Sequence, residues 1–184
     1  FNISGANMSA GITVTPPAGF EVSTSSTFAS NVGTSASPIT VGATGTIAST
    51  PLYVRLAATA VPGGTYNSQN IVLSSTGATS VNIATASSGN SVSTKALTIT
   101  GLTGMNKEYD GLTTASAAGT AALNGVNGSD SVTLGGTPAY TFATVAVGIA
   151  KSISTTGYTL GGAQSSYYTL TQPTLSADIT ARSL

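Results

Sequence analysis

Residues 12–23 read Ile-Thr-Val-Thr-Pro-Pro-Ala-Gly-Phe-Glu-Val-Ser, and this stretch decides the fold class. Apolar and polar residues alternate at 12–15 and again at 20–23, which is the period of a strand with one buried face. The Pro-Pro-Ala-Gly segment between them is typical of a turn, because proline fixes φ and glycine accepts a positive φ. The stretch therefore predicts two short strands joined by a turn.

The same pattern continues along the chain, and helical periodicity is almost absent. Short β-branched runs return between clusters of Gly, Pro, Asn and Ser, which is the pattern of an all-β sandwich or barrel. Further strands are predicted at residues 39–41, 52–56, 71–73, 81–83, 97–100, 132–134, 140–142, 151–153, 158–160, 168–170 and 176–180. The fold class predicted is all-β, with two tandem β-sandwich modules.

Two segments of the second half need a separate interpretation. Residues 157–160 and 167–170 carry similar Tyr-Thr-Leu runs around Gly161-Gly162, which predicts a hairpin. The Ala-rich segment 113–123 favours helix by composition, but Gly119 interrupts it and no charged face is present. We therefore predict strand or loop for this segment.

The composition excludes several classes of function. Charged residues make up 5% of the chain, and five Lys and Arg balance five Asp and Glu. Such a chain offers no electrostatic surface for nucleic acid or an anionic membrane. Cys and His are absent, so a Ser or Thr nucleophile would lack its usual base, and thiolate metal sites are excluded. We expect no enzymatic activity, no cofactor and no bound metal.

The surface composition indicates an extracellular protein, either at the cell surface or secreted. Ser and Thr make up roughly a third of the chain, Gly contributes 22 residues, and Lys is scarce. No apolar run approaches the ~18 residues of a membrane span, so membrane insertion is not expected. The chain opens at Phe1 without a signal-peptide pattern, which places any signal peptide or anchor outside this segment.

Charge also predicts where two domains meet. Residues 1–94 contain only Glu21 and Arg55, and the other eight charges begin at Lys95. The stretch 85–94 has few large apolar residues. We predict a first Ig-like module at 1–94 and a second module at 95–184.

The ends of the chain suggest an array of modules. Residues 94–98 read Thr-Lys-Ala-Leu-Thr, and residues 180–184 read Thr-Ala-Arg-Ser-Leu, as if a further module began there. The first module opens directly on a strand-like run. Strands that could take part in assembly are therefore expected at the two ends, carried by Phe1, Ile3, Arg182 and Leu184.

The second half resembles the YDG domain of bacterial surface and haemagglutinin-like adhesins, which is related to the MBG modules. The resemblance rests on ordered motifs: Asn-Lys-Glu-Tyr-Asp-Gly-Leu-Thr-Thr at 106–114, Gly-Ser-Asp-Ser-Val at 128–132, Gly-Tyr-Thr-Leu at 157–160 and Tyr-Tyr-Thr-Leu-Thr-Gln-Pro at 167–173. It implies an Ig-like β module in tandem arrays on secreted proteins, without catalytic residues. Leu112 departs from the Thr or Asn that the family favours at this position.

The first half is similar to the Ig-like modules of very large secreted bacterial proteins. The likeness is carried by residues 1–7, 12–23, 52–56 and 64–66. This pattern of a strand, a Pro/Gly turn and a Tyr-Val-Arg strand occurs in many sandwiches.

Two groups of side chains are candidates for chemistry or contact. Glu108 and Asp110 could form a carboxylate pair, but nearby Lys107 favours surface charges. Asp110-Gly111 is a strong turn pair, with the ring of Tyr109 expected beside the core.

Because Tyr167 and Tyr168 are adjacent, one ring of the pair is expected to point outward as a contact surface.

The leading hypothesis is a structural and adhesive repeat segment that forms a stalk or filament. Its partners would be neighbouring modules of the same protein or fibre. One alternative is a self-assembling fibre subunit joined by β-strand addition. The other is a carbohydrate-binding module that contacts surface glycans through outward tyrosines.

Overall fold

A computed structural model of the chain describes residues 1–183. The chain divides into two compact units, Phe1–Ser93 (unit 1) and Thr94–Leu184 (unit 2). Across residues 1–183 the regular elements are strands, apart from a short 3-10 helix at Ser165–Tyr167. The all-β fold class predicted from the alternating pattern is confirmed, and this architecture is consistent with a β-sandwich.

Unit 1 is built from three antiparallel sheets around one core. Its strands are β1 (Asn2–Met8), β2 (Ile12–Thr15), β3 (Phe20–Ser23), β4 (Val32–Gly33), β5 (Ile39–Val41), β6 (Gly45–Pro51), β7 (Tyr53–Leu56), β8 (Asn70–Ser74) and β9 (Val81–Ala84). They pair in the orders β1-β6, β5-β2-β8-β9 and β4-β3-β7. All three sheets contribute to one buried cluster, which includes Ile3, Ile47, Ile12, Val14, Ile71 and Val22.

A buried tyrosine holds two loops of unit 1 together. The Tyr66 hydroxyl donates to the carbonyl of Val61 at 2.9 Å and accepts from the Val61 N–H at 2.8 Å. Its ring meets Phe20 edge-on, with centroids 6.0 Å apart. Gly19 and Gly64 lie so close to this ring that a Cβ on either would overlap it. The Pro-Pro-Ala-Gly turn of the sequence therefore ends against Tyr66.

Unit 2 has two sheets that contain both parallel and antiparallel pairs. Its strands are β10 (Lys95–Gly104), β11 (Lys107–Glu108), β12 (Ala117–Asn124), β13 (Thr133–Phe142), β14 (Gly148–Gly161), β15 (Tyr168–Thr171) and β16 (Thr174–Thr180). The sheet orders are β12-β10-β15 and β11-β16-β14-β13. β10 runs parallel to β15, and β11 runs parallel to β16.

Alternation places the core of unit 2 on one face of each sheet. Ile153 and Thr155 are buried in β14, while the flanking Ser152 and Ser154 are exposed. β10 likewise buries Leu97 and Ile99, and the other sheet adds a cluster of Phe142, Ile153, Ala177 and Ile179. Period-two alternation with small polar residues outside is what the Thr-rich composition predicts for half-buried strands.

The predicted hairpin between residues 157–160 and 167–170 is wrong. β14 pairs with β13 and β16, whereas β15 pairs with β10 in the other sheet. The similar Tyr-Thr-Leu runs reflect two separate core faces, because period-two alternation gives the same pattern to any half-buried strand.

The runs predicted as separate strands at 132–134 and 140–142 belong to one strand, β13, and those at 151–153 and 158–160 belong to β14. Gly136 and Gly157 carry positive φ of 93° and 92° at an irregularity in this pair. Gly136 and Gly157 therefore lie at a bulge through which β13 and β14 continue.

The segment 113–123, predicted as strand or loop, contains most of β12. Gly119 has φ of 100° and its backbone lies against that of Gly101 in β10, too close for a Cβ. The glycine that argued against a helix thus marks a bulge between two strands.

No helix within residues 1–183 has the length and apolar character needed to cross a membrane.

We expect limited proteolysis to separate the two units. Residues 85–94 form no strand, and most of their side chains are exposed, so a protease can bind this backbone without opening a sheet. Proteinase K can cleave this Ser-rich segment. At a low ratio of protease to protein, it should yield two fragments that each unfold cooperatively. A single resistant core spanning both halves, or progressive loss of both, would contradict this expectation.

Candidate functional site

Lys107 holds the turn that follows β11. Its ammonium group donates to Asp110 Oδ1 at 2.7 Å, to the carbonyl of Leu112 at 2.7 Å and to the carbonyl of Thr114 at 3.0 Å. These bonds use all three donors of the ammonium group. The side chain is only 18% exposed, and its Nζ lies 5.8 Å from the ring centroid of Phe142.

Asp110 closes the same turn from the other side. Its carboxylate accepts the Leu112 N–H at 2.9 Å, and Gly111 takes the positive φ of 78° that the turn needs. The hydrogen bond from Lys107, followed by the one from the Leu112 N–H, lowers the pKa of Asp110. The ionised carboxylate therefore stabilises the fold above its ordinary pKa, and that contribution is lost as the pH falls through the lowered value.

The segment after the turn connects the two edges of one sheet. β11 is at one edge of the order β11-β16-β14-β13, and the Tyr109 N–H donates to Thr180 at the end of β16. Beyond Gly111 the chain reaches the opposite edge, where Thr114 forms a bridge with Thr141 of β13. The bonds of Lys107 therefore fix a loop that spans this sheet from edge to edge.

A second polar cluster surrounds Tyr168. This residue is 6% exposed, and its hydroxyl donates to Asp130 and accepts the Asn127 N–H at 3.1 Å. The hydrogen bond to the Asp130 carboxylate, with burial, raises the pKa of Tyr168. Lys95, the first residue of β10, donates to Asn127 Oδ1 at 2.6 Å. The loop at 127–130 is thereby tied to the beginning of both β10 and β15.

A third cluster surrounds Tyr158 at the bulge of β14. The Gln172 side chain accepts the Tyr158 N–H at 3.2 Å and donates to its carbonyl at 2.8 Å, as a neighbouring strand would. The hydroxyls of Tyr158 and Tyr140 lie 2.8 Å apart. Burial, and then this hydrogen bond, raise the pKa of Tyr140 to about 12. The Tyr140 phenol is thus protonated at neutral pH.

The three clusters fall on the motifs quoted from the sequence. Residues 93–175 match the family model of the YDG domain. The predicted resemblance of this half to the YDG domain is therefore confirmed. No curated protein and no solved structure gave a significant match to the chain.

In the YDG domain the predicted carboxylate pair does not form a site. Asp110 is bonded to Lys107, and Glu108 lies exposed in β11 beside Thr180 of β16. Tyr109 is 42% exposed, so the expectation that its ring packs beside the core is wrong, because the positively charged Lys107 side chain fills the space beneath the turn instead. Among residues 1–183, no three acidic side chains gather closely enough to hold a metal ion.

The residues predicted for contact and assembly differ in their surroundings. Tyr168 faces inward, whereas Tyr167 is half-buried at the end of the 3-10 helix. In unit 1, Phe1 is exposed at the start of the chain and Ile3 is buried in β1. Arg182 is exposed and lies beyond the last strand, and Leu184 falls outside the described residues.

The sequence analysis did not identify two residues of unit 2 whose side chains bond to backbone groups distant in the chain. The Gln172 side chain bonds to the backbone of Tyr158. Asn106 Oδ1 accepts the N–H of Asp178 at 2.7 Å. Both residues belong to the motifs quoted from the sequence, so the sequence did mark these positions. Their partners are 14 and 72 residues away in the chain, and no local pattern connects them.

We expect Lys107→Met to destabilise unit 2 by about 1 kcal/mol, because three hydrogen bonds of the turn are lost. The two carbonyls and the carboxylate are exposed, so water replaces the lost donor in part. Lys95→Met is the matched control. Its ammonium group has one bond, to an exposed Asn127 side chain, so the change should stay within about 0.5 kcal/mol. Urea unfolding of the full chain, following the transition of unit 2, measures both.

The same experiment has an acid arm. Wild-type unit 2 should lose stability as the pH falls below 3.8, the ordinary pKa of Asp110, and Asp110→Asn should lack that part of the loss. Equal effects of Lys107→Met and Lys95→Met, with no difference in acid, would contradict the structural role of this turn.

Proposed function

We propose that the chain is a load-bearing structural segment of a large secreted bacterial surface or fibre protein, where it serves as part of a stalk or filament. The observation that carries this proposal is the parallel pairing of the first strands of unit 2 with its last ones. β10 pairs with β15 over residues Lys95 to Thr98, and β11 pairs with β16 at Lys107 and Glu108.

Parallel pairing determines how such a unit responds to tension. Force applied through the chain pulls β10 from its first residue and β16 from its last residue. β15 continues into β16 after Gln172 and Pro173, so the two parallel pairs lie between the two points of force. The load then acts along the strands, and the hydrogen bonds of a pair must break together. This geometry favours resistance to pulling.

The use of polar groups in the YDG domain supports the same role. Lys107, Asp110, Asp130 and Gln172 all bond to groups of their own unit. A binding site needs polar groups that converge on a free surface and are left for a ligand. The motif residues instead fasten loops to strands, as a passive structural module requires.

We further propose that both units are Ig-like β-sandwich modules in tandem. Unit 1 supports this with the Tyr66 hydroxyl, which bonds back to Val61 five residues upstream. A tyrosine that bonds to the backbone a few residues upstream at a loop is typical of Greek-key sandwiches. In each unit, buried side chains come from more than one sheet.

An extracellular location is part of the proposal and rests on composition. The surface is rich in Ser and Thr and carries few charges, and the chain has no Cys that a change of redox conditions could affect. The proposed partners are neighbouring modules of the same protein or fibre. Immunogold labelling of intact cells and of thin sections with antibodies against this chain tests the location, and intact cells without label whose sections carry label only in the cytoplasm would contradict it.

Single-molecule force spectroscopy tests the load-bearing role. We expect unit 2, pulled through residues 94 and 181, to unfold in one step at a higher force than in a matched unzipping geometry. For the control, Thr133→Cys and Thr159→Cys provide attachment points on the adjacent strands β13 and β14, and both positions are exposed. The chain has no Cys of its own, so attachment is specific.

The two geometries differ in the direction of the load and in the strand pairs that bear it. Pulling at positions 133 and 159 separates neighbouring strands one bond pair at a time, whereas pulling at the ends loads the parallel pairs along their length. Equal unfolding forces in the two geometries, or gradual extension without a peak, would overturn the proposed function.

A further inference from the structure

Two Asn-Gly pairs lie close together in unit 2. Residues 124–128 read Asn-Gly-Val-Asn-Gly, and both asparagines are exposed. In such a pair the backbone nitrogen of the glycine can attack the side-chain carboxamide, because no Cβ crowds its approach. The attack requires the chain to bend at the asparagine, so the local backbone decides whether the two groups meet.

The first pair is held in a strand. Asn124 is the last residue of β12 and lies opposite Thr98 of β10, and its side-chain nitrogen donates to Thr98 Oγ1 at 3.4 Å. Gly125 has φ of 101°, in the left-handed region that favours glycine, so the end of β12 accounts for this residue. The paired, extended backbone keeps the Gly125 nitrogen away from the Asn124 side chain.

The second pair lies in an exposed turn. Asn127 belongs to no strand, and its carbonyl accepts the N–H of Asp130 at 2.9 Å. The φ of Gly128 is outside the left-handed region, and a Cβ built on this residue would meet nothing within 4 Å. The fold therefore does not require glycine at position 128. What the glycine provides is an uncrowded nitrogen directly after Asn127.

Lys95 prepares the carboxamide of Asn127 for attack. Its ammonium group donates to Asn127 Oδ1 at 2.6 Å. Attack on Cγ places negative charge on this oxygen, and a positively charged donor already directed at it stabilises that charge. At Asn124 the bonded atom is the side-chain nitrogen, which does not polarise the carbonyl in this way.

We propose that Asn127 and Gly128 form a self-modifying site. The Gly128 nitrogen bonds to Asn127 Cγ and gives up its proton, and the side-chain nitrogen leaves as ammonia, which closes a succinimide ring. Water then opens the ring at either carbonyl, so the products at position 127 are aspartate and isoaspartate. Lys95 is a positioning residue that acts through its bond to Oδ1. The reaction consumes water alone and needs no other reagent.

The modification changes the loop at 127–130. Each product adds one negative charge to a chain whose formal net charge is zero. Isoaspartate also adds one carbon to the main chain between positions 127 and 128. Because the Asn127 N–H donates to the Tyr168 hydroxyl, the longer main chain disturbs a loop that is tied to β15. The inference is independent of the proposed function, since it concerns the chemistry of one turn.

Incubation of the folded full chain at mildly alkaline pH tests the site. Peptide fragmentation by mass spectrometry locates the exchange of NH₂ for OH and follows its rate at each asparagine. Asn127 should react about tenfold faster than Asn124, because Asn124 reacts only when the end of β12 opens. In urea, where no strand holds either pair, the two rates should be similar.

Three variants separate the roles of the two partners, with Asn124 as the internal control in each. Gly128→Ala should slow the reaction at Asn127 about tenfold and keep the wild-type melting temperature, since the added Cβ crowds only the attacking nitrogen. Lys95→Met should slow it about threefold, the scale of one charge contact in an exposed position. Lys95→Arg retains a charged donor and should react like wild type.

An Asn127 that stays intact in the folded chain but reacts in urea would overturn the inference. Equal rates at Asn127 and Asn124 in the folded chain would do the same, as would Gly128→Ala reacting like wild type. Equal rates for wild type and Lys95→Met would remove Lys95 from the site. The unfolding force of unit 2 tests the proposed function separately.

Discussion

The parallel pairing of β10 with β15, and of β11 with β16, connects the segment that enters unit 2 with the segment that leaves it. The other strand pairs of the unit are antiparallel and join strands that are closer in the chain, such as β13 with β14 and β14 with β16. The parallel pairs instead require residues about 70 positions apart to meet, as at Lys95 and Tyr168 or Lys107 and Ile179. The three polar clusters lie where this long-range closure needs support: Lys107 beside β11, Tyr168 at the start of β15, and Gln172 before β16.

This arrangement gives the YDG motifs a physical meaning. A chain with 5% charged residues has few strong hydrogen-bonding groups, and several of them tie the loops at 110–114 and 127–130 to β11 and β15. Charge-assisted hydrogen bonds are stronger than neutral ones, so a few suffice to fix loops that the small Thr, Ser and Gly side chains would leave free. The exposed surface then carries mostly uncharged strands and a few large apolar side chains.

The sequence predicted the all-β class and most strand positions because alternation at residues such as 12–15, 97–100 and 176–180 is a local signal. It failed where a local signal has two meanings. The strands predicted as separate on either side of Gly136 and Gly157 are continuous through a bulge. The predicted hairpin around Gly161-Gly162 does not exist, since strand partners are set by contacts distant in the chain. The turn at Asp110-Gly111 was predictable, but the three bonds of Lys107 were not. The identity of the two units as separate Ig-like modules stays a prediction.

Native-state hydrogen exchange of the full chain tests most directly whether the parallel pairs hold unit 2 together. We expect the amides that join β10 to β15 and β11 to β16 to exchange only when the whole unit unfolds, with the same denaturant dependence as the amides between β13 and β14. Exchange of the β10–β15 and β11–β16 amides through local opening, while the β13–β14 amides stay protected, would show that the unit is held by its antiparallel hairpin and would contradict the account.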